Sequence, residues 1–309
     1  MTSQPSMRSA DQRLWTWFYA TRPQSFSATF APVSLGLALA WQAGHFNLFS
    51  ALVTLLAALL LQAGANLVNE YMDYRKGADS TASIAPSRVI RDGLLTPHQV
   101  WMGAWVSLGA GALLGIGLAW MGGWPVWVIG ALGVLSAVLY TAGPLPFAYV
   151  GLGEVVVFLA MGPGIVAGTY AVQTQTITFS VLLAAVPIGL LVAAILHANN
   201  LRDLDHDRSV GKRTVATRLG RRGAQIEYLT LAGGAFVAVP VSVVVGALPP
   251  SALVVGILLP QLYSLIHIAF SREDMPSLNT VLRQTAALHL RFGLLLAASV
   301  VIWNWVAGG

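Results

Sequence analysis

Two segments of the chain carry side chains suited to binding a divalent cation. The first contains Asn69 and Asp73, and the second contains Asp203 and Asp207. In each pair the members are four positions apart, so on a helix they lie on one face, one turn from each other. Amide and carboxylate oxygens, in a chain without cysteine, favour a hard cation such as Mg²⁺. A further carboxylate, Asp79, follows the first pair.

Basic side chains follow both acidic segments. They are Arg75, Lys76, Arg88 and Arg91 after the first, and Lys212 and Arg213 after the second. Mg²⁺ in proteins commonly bridges carboxylates to a phosphate, and Lys and Arg bind the remaining phosphate oxygens. The alternative interpretation is that these charges are merely solvated. Against it, carboxylates repel each other at this spacing and are disfavoured at the C-terminal end of a helix. The pattern therefore predicts a site for Mg²⁺ and a diphosphate.

The composition predicts that membrane helices position these segments. Of 309 residues only 9% are charged, 56% are hydrophobic and the mean hydropathy is +0.70, whereas soluble domains carry about 25% charged residues. A disordered chain, a disulfide scaffold and a conventional soluble enzyme are excluded. The net charge of +5 could indicate a nucleic-acid binder. The basic residues instead gather on one side of the predicted membrane helices. The fold class is therefore all-α integral membrane protein.

Runs of about 20 apolar residues predict nine transmembrane helices. They lie at 26–43, 48–70, 98–120, 124–142, 153–172, 179–200, 226–247, 251–270 and 286–306. The aromatic residues Trp15, Trp17, Phe18 and Tyr19 predict a short interfacial helix before the first span. We therefore expect an N-terminal segment, 1–22, without a signal peptide, and a nine-helix membrane domain, 23–309.

This topology places all 17 Lys and Arg residues on one side of the membrane. The positive-inside rule makes that side cytoplasmic, together with the N-terminus and the acidic segments. The acidic segments end the second and sixth spans, which indicates a duplicated four-helix unit with a ninth helix added. A diphosphate site with apolar helices behind it indicates a lipid diphosphate as the ligand.

Four stretches of the sequence resemble the UbiA superfamily of intramembrane aromatic prenyltransferases. They are Arg22-Pro23, 66–79, 140–154 and 199–220. Members of this superfamily have nine transmembrane helices and an Asp-rich motif on the second and on the sixth. Within it, the chain is most similar to the 1,4-dihydroxy-2-naphthoate polyprenyltransferases of menaquinone biosynthesis. It departs from the general pattern at Glu70, where many members have Asp, and at Asp79, which lies two residues later than usual.

The resemblance implies a reaction and a set of site residues. A polyprenyl chain would pass from an allylic diphosphate to dihydroxynaphthoate, with loss of CO₂ and diphosphate, in the plasma membrane of a prokaryote. Two Mg²⁺ ions, which Mn²⁺ could replace, would be bound by Asn69, Asp73, Asp79, Asp203 and Asp207. The diphosphate would be bound by Arg22, Lys76, Arg88, Arg91, Lys212 and Arg213. Asp73, Asp203, Asp207 and Lys212 would be catalytic, and neither a nucleic acid nor an obligate protein partner is expected.

Five further residues are candidates for contacting the prenyl chain or the aromatic acceptor: Tyr140, Tyr149, His197, Asn66 and Asn200. The two tyrosines could stabilise a cation or anchor the chain at the interface, and His197 could instead make a structural hydrogen bond. Glu154 fits either a functional role or ordinary matching of the helix dipole.

Two other functions stay open at this point. One is a related enzyme whose acceptor is 4-hydroxybenzoate, homogentisate, chlorophyllide, haem or a lipid. The other is a transporter, since repeated halves and polar residues in spans also mark carriers. The sequence disfavours transport because it places no ionisable group deep in a span.

Overall fold

The computed structural model describes residues 10–75, 87–140 and 146–307, which form helices and turns without a strand. The α-helices are α1 (Ala10–Ala20), α2 (Ser27–Gln42), α3 (Leu48–Arg75), α4 (Pro97–Gly122), α5 (Trp124–Leu139), α6 (Gly153–Leu159), α7 (Ile165–Thr174), α8 (Phe179–Arg202), α9 (Leu204–Ser209), α10 (Val215–Val244), α11 (Leu259–Ser271) and α12 (Met275–Ala307). Short 3₁₀ segments lie at Pro23–Phe26, Phe147–Tyr149 and Pro250–Leu258, and a π-turn at Ala160–Gly164.

Seven helical segments of the described chain are long and apolar enough to cross a membrane. They are Leu48–Arg75, Pro97–Gly122, Gly153–Thr174, Phe179–Arg202, Val215–Val244, Pro250–Ser271 and Met275–Ala307. The third joins α6, the π-turn and α7, and the sixth joins a 3₁₀ segment to α11. The prediction of an all-α, multi-pass membrane protein is confirmed.

The predicted number of nine spans is not confirmed. The runs at 26–43 and 124–142 correspond to α2 and α5, which have 16 residues each. At a rise of 1.5 Å per residue each is about 24 Å long, shorter than a hydrocarbon core of about 30 Å. The boundaries of α10 and α12 also differ from prediction, because both helices continue into polar sequence that a hydropathy count leaves out. Gly220, with φ 72° and ψ 176°, breaks α10 near its start.

The largest apolar core is built around α8, which packs against α6, α10 and α12, while α2 packs against α7 and α12. The π-turn packs closely against α8: a Cβ added to Gly162 would lie 2.4 Å from the Cα of Gly189. Only glycine allows this approach, which holds α6 beside α8.

A second core joins α3 to α4 and to the segment that follows residue 86. The pair formed by α3 and α4 resembles the pair formed by α8 and α10, since in each an acidic segment ends the first helix. The chain around Tyr149 links the two pairs, because the Tyr149 hydroxyl donates to Asp73 near the end of α3 and its carbonyl accepts from the Arg213 N–H, just after α9.

Candidate active site

Arg22 is held between the end of α3 and the segment after residue 86. Its Nη2 lies 3.0 Å from Glu70 Oε2, and its Nε donates to the Ser87 hydroxyl at 3.1 Å. Ser87 in turn donates to Glu70 Oε2 at 2.6 Å. Glu70 is completely buried, and its Oε1 has no hydrogen-bond partner among the described residues. The guanidinium, which was predicted to bind diphosphate, is thus oriented by an acid and a hydroxyl.

Asn66 fixes the turn that carries Arg22. Its side-chain amide donates to the Thr21 carbonyl and to the Ser25 hydroxyl, both at 2.8 Å. Arg22 itself has a left-handed backbone, with φ 56°, which is unfavourable for a residue with a side chain. Asn66 therefore positions Arg22, while the contact with the prenyl chain or the acceptor that the sequence predicted for it stays a prediction.

A chain of contacts joins the two acidic segments. The Tyr149 hydroxyl donates to Asp73 Oδ1 at 3.3 Å, and Lys212 Nζ lies 5.7 Å from the centroid of the Tyr149 ring. Lys212 Nζ also lies 3.0 Å from Asp207 Oδ2. Burial raises the pKa of the Asp207 carboxyl, and the neighbouring ammonium opposes that rise. Asp73, Tyr149, Lys212 and Asp207, which come from three distant parts of the sequence, therefore form one site, which we call the acidic site.

The Asp203 carboxylate is hydrogen-bonded by the residue that precedes it, Arg202. Arg202 donates from Nε to Asp203 Oδ1 at 2.7 Å and from Nη2 to Oδ2 at 2.6 Å. The same guanidinium donates to the side chains of Asn199 and Asn279. Such paired hydrogen bonds are strong, so both oxygens of this predicted metal ligand already have a cationic partner.

The segment 146–152 closes one side of the acidic site. The Tyr149 carbonyl accepts from the Arg213 backbone N–H at 3.2 Å, and the Val150 carbonyl accepts from Arg218 Nη2 at 2.8 Å. Gly151, with φ 77°, follows these two residues and allows the turn that precedes α6. These bonds hold the Tyr149 side chain between Asp73 and Lys212.

Tyr140 and a buried acid–histidine cluster lie next to the acidic site. The Tyr140 carbonyl accepts from the Ala148 backbone N–H at 2.9 Å, and the Tyr140 hydroxyl lies beside Gly153, the residue before Glu154. Glu154 Oε1 lies 3.1 Å from His197 Nδ1 and accepts from Asn200 Nδ2 at 2.8 Å. His197 is completely buried, and its Nε2 lies 2.8 Å from the Ala224 carbonyl. Both its nitrogens are engaged within the protein, and its contact with the aromatic acceptor stays a prediction.

The other predicted ligands of the metal and of the diphosphate are half-buried or exposed, or lie outside the part of the chain that the structure describes. Asn69 is half-buried on α3. Arg88 pairs with Asp92 of its own segment at 3.9 Å, Arg91 is half-buried nearby, and the Arg213 side chain is exposed. Lys76 and Asp79 lie outside the described residues.

The sequence analysis missed several residues of this region. Ser87 and Asn279 have no pattern of their own that marks them. Glu227 did carry a signal, because an acid inside an apolar helix is a candidate functional group. Glu227 lies on α10 near the start of the predicted span 226–247, with its Oε2 3.6 Å from His197 Nδ1.

The family comparison agrees with this architecture. The UbiA prenyltransferase family model matches residues 29–280. The chain belongs to this family. As a UbiA-family protein it is a prenyltransferase and a multi-pass integral membrane protein, as its sequence predicted.

Curated relatives of this UbiA-family chain include two 1,4-dihydroxy-2-naphthoate octaprenyltransferases. The protein from Bacillus subtilis is 32% identical over 300 residues, which cover 96% of this chain and 95% of the relative. The protein from Escherichia coli is 34% identical over 231 residues, covering 73% and 75%. A solved UbiA homolog from Archaeoglobus fulgidus, bound to DMAPP and Mg²⁺, has the same fold, with a TM-score of 0.66 at 13% identity, covering 92% of this chain and 99% of its own.

Proposed function

We propose that this UbiA-family chain transfers a polyprenyl group from a polyprenyl diphosphate to 1,4-dihydroxy-2-naphthoate, releasing diphosphate and CO₂ and giving the quinol form of demethylmenaquinone. The observation that carries this proposal is the acidic site, where Asp73 and Asp207 converge on Tyr149 and Lys212. The naphthoate octaprenyltransferases among its relatives support the choice of acceptor.

The oxygen-rich donor set of the acidic site fits Mg²⁺. Asp73 accepts a hydrogen bond from a neutral phenol, and no Lys or Arg of the described residues lies within 4.0 Å of it, so its oxygens can accept a cation. We propose that Asn69, Asp73, Asp79, Asp203 and Asp207 hold two Mg²⁺ ions, which Mn²⁺ can replace. When bound, these ions neutralise negative charge on the diphosphate.

The basic residues of the chain would bind and stabilise the leaving group. Lys212 and Arg22 act at the acidic site, and Lys76, Arg88, Arg91 and Arg213 supply further positive charge around it. The bond between the allylic carbon and oxygen breaks, and the diphosphate leaves with the electron pair. Interactions with this developing charge lower the barrier.

The remaining steps need no covalent enzyme intermediate. The naphthalene carbon that carries the carboxylate donates its electrons to the allylic cation and forms the new carbon–carbon bond. The bond to the carboxylate then breaks, CO₂ leaves, and its bonding electrons restore the aromatic ring. The faces of Tyr140 and Tyr149 would stabilise the allylic cation.

The proposal includes a membrane arrangement. We propose that α2, extended by the 3₁₀ turn Pro23–Phe26, and α5 also cross the bilayer, giving nine spans in a duplicated four-helix plan with one added helix. Residues 23–309 would form the catalytic domain, preceded by 1–22. The acidic site would face the cytoplasm of a prokaryote from its plasma membrane, because the basic residues gather on that side.

A product assay tests the proposal. Purified protein in detergent receives a polyprenyl diphosphate and, in parallel, dihydroxynaphthoate, 4-hydroxybenzoate or homogentisate. We expect a prenylated, decarboxylated naphthoquinol by mass spectrometry only with dihydroxynaphthoate, and only with Mg²⁺ or Mn²⁺. Product with a different acceptor alone would support a related prenyltransferase instead, and undiminished turnover in EDTA would contradict the metal assignment.

A further inference from the structure

A second group of potential metal ligands lies outside the acidic site. Glu154 of α6, His197 of α8 and Glu227 of α10 converge so that one ligand atom from each lies within 4.8 Å of the others. Glu154 is 5% exposed and His197 is completely buried. Three helices therefore bring two acids and an imidazole together in the interior, where ionisable groups are costly without a partner.

The hydrogen bonding of His197 determines which nitrogen faces the two acids. Nε2 lies 2.8 Å from the Ala224 carbonyl, and a carbonyl oxygen can only accept, so Nε2 carries a proton. Nδ1 then points toward Glu154 Oε1 at 3.1 Å and Glu227 Oε2 at 3.6 Å. In the neutral imidazole this nitrogen presents a lone pair to two carboxylates, an arrangement that a cation between them would stabilise.

The charges around the cluster are not balanced by the protein. Among the residues that the structure describes, His197 is the basic side chain within 4.0 Å of Glu154 and of Glu227. Even a protonated imidazole would leave one negative charge. Glu154 Oε2 and Glu227 Oε2 are also buried without hydrogen-bond partners among those residues, and such oxygens require an explanation.

We propose that Glu154, His197 and Glu227 bind a divalent transition-metal ion, of which Zn²⁺ is the type best suited to a mixed imidazole and carboxylate donor set. The outer contacts fit this role. Metal-binding histidines typically donate their other N–H to a carbonyl or carboxylate, as His197 does to Ala224. Asn200 orients Glu154 by a hydrogen bond of 2.8 Å. The site differs from the acidic site in having a nitrogen ligand, and it does not depend on the proposed function.

The metal content of purified protein tests this site. Protein from cells grown with added Zn²⁺ is washed with EDTA in detergent, and its zinc is measured by mass spectrometry. We expect about one ion per chain in the wild type and in Asp73→Asn, which alters only the acidic site. We expect at least a fivefold loss in Glu227→Gln, and no loss in the control Glu273→Gln, whose acid is exposed on a loop.

Spectroscopy separates this site from adventitious zinc. With Mn²⁺ in place of Zn²⁺, pulsed electron paramagnetic resonance should detect a nitrogen coupling that persists in Asp73→Asn and disappears in His197→Gln. If His197→Gln does not fold, Glu227→Gln is used in its place, and the nitrogen coupling should disappear in that variant. Wild-type protein with no more zinc than Glu227→Gln, or manganese without nitrogen coupling, would overturn the proposal and leave a hydrogen-bonded imidazole cluster.

Discussion

The two acidic segments have similar spacing but differ in how their carboxylates are neutralised. In the second segment the motif acids themselves pair with cations, Asp203 with Arg202 and Asp207 with Lys212. In the first segment Arg22 pairs with Glu70, whereas Asp73 accepts a hydrogen bond from a phenol. Residues with equivalent spacing therefore have different electrostatic surroundings.

This difference ranks the proposed metal ligands. A carboxylate already bound to a guanidinium must share or exchange its partner before it binds a metal, whereas Asp73 keeps oxygens available. We infer that Asp73 contributes most to metal binding and that Asp203 contributes less. The following predictions test that order.

The largest effect is expected for Asp73→Asn. Metal stabilisation of a leaving group contributes several kcal/mol, so kcat/KM should fall about a thousandfold. The measurement is prenyl transfer at saturating Mg²⁺, with protein yield and thermal unfolding checked in parallel. A loss below about threefold, well under the 1.36 kcal/mol that a tenfold change represents, would remove Asp73 from the metal site.

A smaller effect is expected in the second segment. Asp207→Asn should lower kcat/KM about a hundredfold, and Asp203→Asn by less than Asp207→Asn, because Arg202 already occupies both oxygens of Asp203. The matched control is Asp205→Asn on the same short helix, whose side chain is 77% exposed and should leave activity within about twofold. If Asp203→Asn proved more damaging than Asp73→Asn, the ranking would be wrong.

Glu70→Gln tests the orientation of Arg22. A hydrogen bond to a charged group contributes about 1.5–3 kcal/mol, so the KM for the polyprenyl diphosphate should rise about tenfold while kcat changes less. Steady-state kinetics with varied diphosphate measure this. Ser87→Ala, which removes the hydroxyl between Arg22 and Glu70, should shift KM in the same direction. An unchanged KM in both variants would mean that Arg22 does not bind the diphosphate.

The smallest effect is expected for Tyr149→Phe, which removes the hydroxyl bonded to Asp73 and keeps the ring beside Lys212. At 3.3 Å this hydrogen bond is long, so we expect it to contribute about 1 kcal/mol and kcat/KM to fall about fivefold. Tyr74→Phe is the control, because Tyr74 neighbours Asp73 in the sequence but is 44% exposed and should not change the rate. Equal effects in the two variants would show that the contact at 3.3 Å does not orient Asp73.

Several features of the fold and of the site could be predicted from the sequence because they depend on local pattern. The apolar runs predicted seven of the long helices, and the aromatic cluster before the first span predicted α1. Helix length at α2 and α5 was harder to predict, because a hydropathy count cannot locate the residue at which the backbone leaves the helix.

What the sequence alone determined is the membrane class, the family and the acids that a divalent ion could use, since composition and spacing along one helix depend only on residue order. The tertiary structure alone decided the pairings. Glu70 meets Arg22 across 48 positions, Tyr149 meets Asp73 across 76, and Glu154 meets His197 across 43. Such contacts depend on how α3, α6, α8 and α10 pack, because a side chain's charge acts on its neighbours in space, which the order of residues does not specify.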